Sequence, residues 1–563
     1  MTKWAWRPTS AVILVTVLLT ATPSAQVRDF EPVTDQMLQH PDPADWLNWR
    51  RTLDGWGFSP LDQINTENVF RLQLVWSWQL RPGLSQPTPL VYDGVMYIPS
   101  PLGVVQAIDA VTGDRIWEYR KQFDGTPDDT FRSRTRSIAI YSDKIYVSTS
   151  DAHIVALDAR TGEVVWDHTV ADYRLGYRYT SGPIVVNGKI VAGMTGCERY
   201  KDGVCFISAH DAHTGDELWR TSTIASPGEP GGDTWSDLPA MFRAGGDAWI
   251  PGSYDPQTNL IYWSTAQAKP WARVSRGTDG DALYTNSALA LDPDTGALQW
   301  YYQFIPGESH DLDEVFESVL IDHDGRRSLF KMGKLGILWE LDRATGEFVA
   351  AHDIGYQNLV DVDAETGRVT YRPGMIPEAG ETLEFCPDAR GIRNWMASAY
   401  HPDTHALYIP IHPTCTKGVF SEVERREHET GDWYFYVNPA YTGWQSGGSG
   451  LLHPASPDHA GHLIAMDITS GEILWRHAMR TRPLAAALTT AGGLVVGADT
   501  DRYLYIHDAA TGDVLFQTRF PSPVQGFPIT YAVDGRQYLA IPVGGGRAPG
   551  APNALYVFAL PAE

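Results

Sequence analysis

The stretch Ala156–Trp166, ALDARTGEVVW, reads as a strand, a tight turn and a return strand. Asp158 and Thr161 have side chains that can bond backbone groups inside the turn, and Gly162 supplies the positive φ that closes it. Val164, Val165 and Trp166 begin the second strand, and the indole is large enough to pack on a neighbouring unit. The same pattern recurs as AIDAVTGDRIW (Ala107–Trp117), AHDAHTGDELW (Ala209–Trp219), ALDPDTGALQW (Ala290–Trp300), AMDITSGEILW (Ala465–Trp475) and IHDAATGDVLF (Ile506–Phe516). A degenerate copy, ELDRATGEFVA (Glu340–Ala350), lacks the aromatic. Seven copies of one hairpin at variable spacing predict an all-β chain folded as a β-propeller with tryptophan-docking-type repeats.

Each hairpin supplies the second half of a four-stranded blade. The blades are expected at about 88–119, 136–166, 182–219, 249–300, 315–349, 394–475 and 488–516. Three further strands, Pro528–Val533, Tyr538–Pro542 and Ala554–Leu560, are one short of a blade. Near the other terminus Leu72–Trp78 (LQLVWSW) looks like a last strand with no partners of its own. Joining the two ends completes an eighth blade and removes the edges that an open array would expose. The intervals between turn aspartates are longest from Asp211 to Asp292 and from Asp342 to Asp467. Long excursions from a rigid scaffold are where function concentrates. SEVERREHETGDWYFYVNP (Ser421–Pro439), in the second of these intervals, is expected to be a partly ordered surface loop.

Of 563 residues, 43% are apolar, and 52 Gly, 38 Pro and 20 Trp suit many short strands joined by turns. The net charge of −24 argues against nucleic acid or an anionic membrane surface as partner. Met1–Ala25 resembles a secretory signal: Lys3 and Arg7 are basic, Ala11–Leu19 is apolar, and small or turn-forming residues follow. The apolar run is too short to span a bilayer, so no membrane anchor is expected, and residues 26–563 are expected to form one propeller domain in the periplasm. Export makes the four cysteines disulfide candidates. Cys197–Cys205 with Cys386–Cys415 is the expected set, because each joins segments of one region. The other two pairings remain open on the sequence. No CxxCH occurs, so covalent c-type haem is excluded.

Four stretches carry the chemistry. GMTGCERY (Gly193–Tyr200) ends a strand in a glycine loop bearing Glu198. Gly245–Trp271 holds Trp249 and a polar strand end at Gln267. PGESHDLDEVFE (Pro306–Glu317) gathers six acids or imidazoles in ten residues. KMGKLGILWELD (Lys331–Asp342) sets Lys334 beside a glycine turn. Oxygen donors from several strand ends could hold a hard cation, and a charged planar cofactor would need a stacking surface and cationic donors.

With these residues in view, the chain resembles the quinoprotein alcohol dehydrogenases, the eight-bladed family that includes methanol dehydrogenase large subunits. The resemblance runs over nearly the whole mature chain, through SPLDQINTENVFRLQLVWSW (Ser59–Trp78), SYDPQTNLIYW (Ser253–Trp263), ALYTNSALALDPDTGALQWYYQ (Ala282–Gln303) and PITYAVDGRQYLAIPVGGG (Pro528–Gly546). It implies pyrroloquinoline quinone (PQQ) on the propeller axis above a metal ion. It implies Asp311 as catalytic base and Lys334 as the basic residue near the quinone oxygens. Glu198, Gln267 and Asp311 match metal ligands, Gln267 standing where the family has Asn. Trp249 matches the indole under the quinone ring, and Thr195, Gly196 and Cys197 match the segment lining the cofactor carboxylates. Gln86, Arg136, Thr180 and Asn394 match further cofactor contacts.

The adjacent-cysteine ring of methanol dehydrogenases is replaced by Thr130–Phe131, which implies a divergent branch acting on larger alcohols, polyols or sugar hydroxyls. A cytochrome c is the expected electron acceptor. Asp313, two residues after Asp311, can face the same ion, since alternate residues of an extended segment point the same way. In the resembled family this second Asp accompanies lanthanide use. Ca²⁺ is the expected ion, with a lanthanide as the alternative. The rival reading is a non-enzymatic propeller scaffold of the outer-membrane assembly type.

Overall fold

The computed structural model of the chain describes residues 1–2, 27, 30–123, 134, 136–198, 200–201, 203–422, 424–427, 433–437, 444–544 and 552–562. Met1–Ala25, apart from its first two residues, and Thr130–Phe131 lie outside the described residues. Eight four-stranded antiparallel sheets follow one another along the chain. The first comprises Leu90–Tyr92, Val95–Ser100, Val104–Asp109 and Arg115–Arg120. Six more span 139–169, 184–222, 253–303, 319–353, 399–479 and 488–519. In the eighth, Ile529–Val533, Arg536–Val543 and Asn553–Ala559 are joined by Gln73–Leu80 from the other end of the chain. Its register runs from Gln73 opposite Ala559 to Leu80 opposite Asn553, so the terminal strands close the array as expected. A short strand, Phe58–Ser59, adds in parallel to the first strand of the seventh sheet. Among the described residues no helix is long and apolar enough to cross a membrane.

Within a sheet the first three strands are almost wholly buried and the fourth is not. Val95–Ser100 is buried throughout, whereas Arg115–Arg120 buries only Trp117. That indole explains the repeat. Trp117 Nε1 donates to the Ala159 carbonyl of the next sheet at 3.0 Å, and its ring lies against Gly162. Trp166 does the same to Ala212 and Gly215, Trp219 to Pro293 and Gly296, and Trp475 to Ala509 and Gly512. Trp76, on the closing strand, docks on Ala110 and Gly113 of the first sheet. A tyrosine adds a second bond to the same carbonyl: Tyr97 to Ala159, Tyr146 to Ala212 and Tyr408 to Ala509. Each such bond contributes about 0.5–1.5 kcal/mol beyond the apolar burial. Inside each turn the aspartate caps the backbone; Asp158 Oδ1 accepts from Arg160 N and Thr161 N at 2.9 and 3.0 Å. Where the degenerate repeat has Ala350, the side chain of His352 packs on Gly471 instead.

Both expected disulfides are present, Cys197–Cys205 and Cys386–Cys415. The second links the ends of Thr382–Phe385 and Thr414–Phe420, which pair with Trp444–Leu452 in an accessory sheet. The 421–439 excursion differs from the expected loop. Glu424–Glu427 and Trp433–Val437 pair with each other and with Tyr200–Lys201, two residues beyond Glu198. The aromatic run WYFYV has strong strand propensity, which outweighs the acidic residues around it.

Gly162 and Gly325 both have φ near +75°, at +74° and +75°. A Cβ at Gly162 would come 2.5 Å from Trp117 Cε3, whereas one at Gly325 would meet nothing within 4 Å. Alanine should therefore cost about 1–3 kcal/mol in backbone strain at both sites. Only Gly162→Ala should lose a further ~1–3 kcal/mol by forcing the indole out of its seat. Denaturant midpoints that fell equally for the two variants would rule out Trp–Gly docking as a determinant of stability.

Candidate active site

Loops between and within the first six sheets converge on one cavity of about 620 Å³. Of the residues singled out from the sequence, Arg136, Thr180, Thr195, Glu198, Trp249, Asp311, Asp313, Lys334 and Asn394 line it. Gln86, Gly196, Cys197 and Gln267 stand just behind. Gln86 Oε1 accepts from Arg136 Nε at 2.8 Å and so orients that guanidinium rather than facing the cavity. The Gln267 side-chain amide donates to Asp311 Oδ1. Cys197 is 2% exposed and tied to Cys205. Four charged groups that the sequence reading passed over also line the wall: Arg134, Arg178, Asp247 and Lys269. Asp247 and Lys269 lie within the Gly245–Trp271 stretch already quoted, and Arg178 lies two residues before Thr180.

Asp247 organises the loop bearing Glu198. Its Oδ1 accepts from Thr195 Oγ1 at 2.8 Å, Gly196 N at 2.8 Å and Cys197 N at 3.1 Å. Gly196 has φ +91° and passes so close to the Gly176 carbonyl that no side chain fits there. The turn thus aims three donors at one carboxylate oxygen, a small anion nest filled from within the chain. Glu198 pairs with Arg178 at 3.0 Å. Burial disfavours the Glu198 charge, but Arg178 and Lys269 outweigh it and lower its pKa to about 2.

On the opposite wall Lys334 Nζ lies 3.0 Å from Asp313 Oδ2 and 3.3 Å from Asp311 Oδ2. It also donates to the Asp311 carbonyl at 2.6 Å. Burial works against the Lys334 charge, but the two carboxylates hold it above the usual lysine range. Asp311 sits at φ +66°, a conformation that costs a non-glycine residue free energy and is concentrated at functional sites. Its carboxyl is pushed up to about 7 by burial, with Asp313 adding to the shift and Lys334 and Lys269 opposing it. A carboxylate with this pKa is poised to take a proton near neutral pH.

Trp249 is half-buried, with Phe316 edge-on at 5.3 Å and the Arg136 guanidinium 5.0 Å from its ring centroid. An indole flanked by Arg134, Arg136, Arg178, Lys269 and Lys334 fits a planar group bearing several negative charges. The acids fit a hard cation by chemistry, since every donor is oxygen. Two oxygens here are buried without a partner, Gln267 Oε1 and Asp247 Oδ2. Among the described residues Glu198, Asp311 and Asp313 do not themselves close to ligating distance of one another.

The propeller therefore carries an acid, a lysine and an indole around one charged cavity. The profile of the family described as "Glucose/ethanol/alcohol dehydrogenase, beta-propeller domain", of the PQQ type, matches residues 46–352 and 351–539. The chain belongs to this PQQ-type alcohol dehydrogenase family. It is 33% identical to quinohemoprotein alcohol dehydrogenase ADH-IIG of Pseudomonas putida, over 90% of this chain and 73% of that one. It is 31% identical to quinoprotein alcohol dehydrogenase PedH of a P. putida strain, over 97% of this chain and 94% of that one. Among solved structures, a europium-containing methanol dehydrogenase superposes with a TM-score of 0.83 at 26% identity, covering 94% of this chain and 100% of that one. These matches do not favour the scaffold reading.

Removing the Asp247 carboxylate should leave Thr195 Oγ1 and two backbone N–H groups without their acceptor. Asp247→Ala is expected to cost about 1.5–3 kcal/mol of stability and to speed reduction of Cys197–Cys205 by dithiothreitol. Thiol-trapping rates and melting curves measure both, and an unchanged pair of values would show that Asp247 does not hold the loop.

Proposed function

We propose that the protein is a PQQ-dependent dehydrogenase of the periplasm that oxidises a primary or secondary alcohol, polyol or sugar hydroxyl larger than methanol. On this reading residues 26–563 form the mature propeller and a cytochrome c takes the electrons. The observation that carries it is the Asp311–Lys334 pair beside the half-buried Trp249 in one charged cavity, in a chain of this family. Asp311 is the base, supported by its raised pKa and its positive φ. Trp249 is the stacking surface. Arg136, oriented by Gln86, with Thr180, Thr195 and Asn394, receives the cofactor's polar edge, and Gly196 and Cys197 shape the wall behind it. Glu198, Gln267, Asp311 and Asp313 hold the metal, which is Ca²⁺ on this reading. The orphaned Gln267 Oε1 supports that assignment.

When bound, PQQ would supply the hydride acceptor and the cation its electrophilic polarisation. The chain's own residues do the rest. The Asp311 carboxylate takes the substrate hydroxyl proton as the carbon-bound hydrogen leaves. Lys334, within 3.3 Å of Asp311 Oδ2, keeps the base oriented and counters negative charge gathering beside it. The apolar ring of Trp249 and the buried walls keep water from the reacting edge.

The protein freed of metal and cofactor should gain dye-linked alcohol oxidation only when PQQ and a metal ion are supplied together, and NAD should not substitute. Asp311→Asn should bind PQQ but lose at least about 10³-fold in turnover, because the amide cannot accept the proton. NAD-dependent turnover without quinone, or near-normal turnover by Asp311→Asn, would overturn the reading.

A further inference from the structure

Lys269 is the lysine of this pocket that no single acid holds. Arg178 is paired with Glu198, and Lys334 with Asp311 and Asp313. Asp247 is occupied on one oxygen by the 195–197 loop. Among the described residues the Lys269 ammonium has no hydrogen bond or ion pair of its own. Its backbone is nonetheless fixed: Ala268 and Lys269 pair with Gly245 and Ala244 in a short ladder. It lines the cavity together with Asp247, Asp311, Asp313 and Glu198, the four carboxylates of the wall. Among the described residues two buried oxygens of the same region have no hydrogen-bond partner, Gln267 Oε1, two residues before Lys269, and Asp247 Oδ2.

We propose that Lys269 sets the valence of the ion this pocket takes: as a fixed monocation among four carboxylates it shifts the preference from a trivalent ion to a divalent one. The inference rests on the reading that a metal ion binds here. Asp313 brings an extra negative group, which by itself favours a trivalent ion. Lys269 cancels one unit of that charge from within the chain. Any bound cation is repelled by the ammonium in proportion to its own charge, so a trivalent ion is penalised half as much again as a divalent one. At an effective dielectric near 20 the difference between the two ions is a factor of about 10–100 in relative affinity. Lys334 and Arg178 cannot do the same work, because each is committed to a carboxylate at hydrogen-bonding distance.

The test is binding of the ions themselves, read on the full chain with PQQ present. Tb³⁺ is followed by its indole-sensitised luminescence, and Ca²⁺ by competition against it. The proteins are wild type, Lys269→Met, Lys269→Ala and Lys269→Arg. Both neutral variants should raise the Tb³⁺-to-Ca²⁺ affinity ratio about 10- to 100-fold, and Lys269→Arg should keep the wild-type ratio. A structural disturbance would weaken both ions together and leave the ratio alone. A ratio within twofold of wild type in the neutral variants, with both ions still bound, overturns the role of Lys269 and leaves the metal reading standing. No saturable binding of either ion to wild type or variants overturns both.

Discussion

An indole seated on a turn glycine of the next sheet, with its N–H on a carbonyl of that same turn, is the contact on which the whole molecule depends. A four-stranded sheet of this kind is buried on both faces only when it has neighbours on both sides. Trp117, Trp166, Trp219 and Trp475 make that neighbour relation specific, because the ring needs a glycine beneath it and an acceptor at its edge. Trp76 applies the same rule between the eighth sheet and the first, so the terminal strands are held by the interaction that joins the first three sheets to their successors and the sixth to the seventh. The ring of contacts tolerates local failure. Where Ala350 offers no aromatic, His352 fills the seat, and Trp300 rests on Gly346 with its N–H unpaired.

That rigidity lets the strand ends carry groups no small core could hold. The cavity wall brings four carboxylates and five cations into one poorly hydrated space, and burying such charges is costly unless each is compensated. The compensation is local and directional. Glu198 has Arg178, Asp311 and Asp313 share Lys334, and Asp247 has three donors from one loop. A further buried pair, Glu317 with Arg393, ties the acidic segment after Asp311 to the sixth sheet at 2.6 Å. The segment bearing Asp311, which has a left-handed φ, is tied down by Lys334 at the Asp311 carbonyl and by the Glu317 contact farther along.

The fold was legible because its determinants are local and repeated. Asp158, Thr161, Gly162 and Trp166 lie within nine residues, and the copies repeat that spacing. The site was legible only in part. Glu198, Trp249, Asp311 and Lys334 belong to recognisable stretches, and the cavity gathers them. Asp247 and Arg178 escaped, because their meaning lies in partners distant along the chain, and Lys269 because its place in the cavity comes from the fold. Asp247 meets Thr195 across 52 residues, and Arg178 meets Glu198 across 20. No periodicity announces such pairs. GGDAW and AQAKPW each hold one unexplained charge in an otherwise apolar or glycine-rich strand end, and that oddity was the available signal. The 421–439 segment misled for a related reason: its acidic residues suggest a solvated loop, while WYFYV forms a strand with Tyr200–Lys201 as a distant partner.

The four acids of the wall are not equivalent, and the difference lies in who supplies their donors. Asp247 takes three bonds from the backbone and hydroxyl of its own scaffold on one oxygen, so its place is fixed before any ligand arrives. Glu198, Asp311 and Asp313 are instead held by long cationic side chains, Arg178 and Lys334. An acid anchored by backbone N–H groups is a fixed post, whereas an acid balanced by a lysine or arginine depends on a side chain for its place. Gln267 mediates between the two kinds. Its backbone carbonyl accepts from Gly246 N, beside the post, while its side-chain amide reaches Asp311. Its length matters here, since the extra methylene over an asparagine extends the reach of the amide from one wall toward the other. The cavity therefore joins an edge fixed by backbone donors at Asp247 to one balanced by a side-chain cation at Asp311 and Asp313.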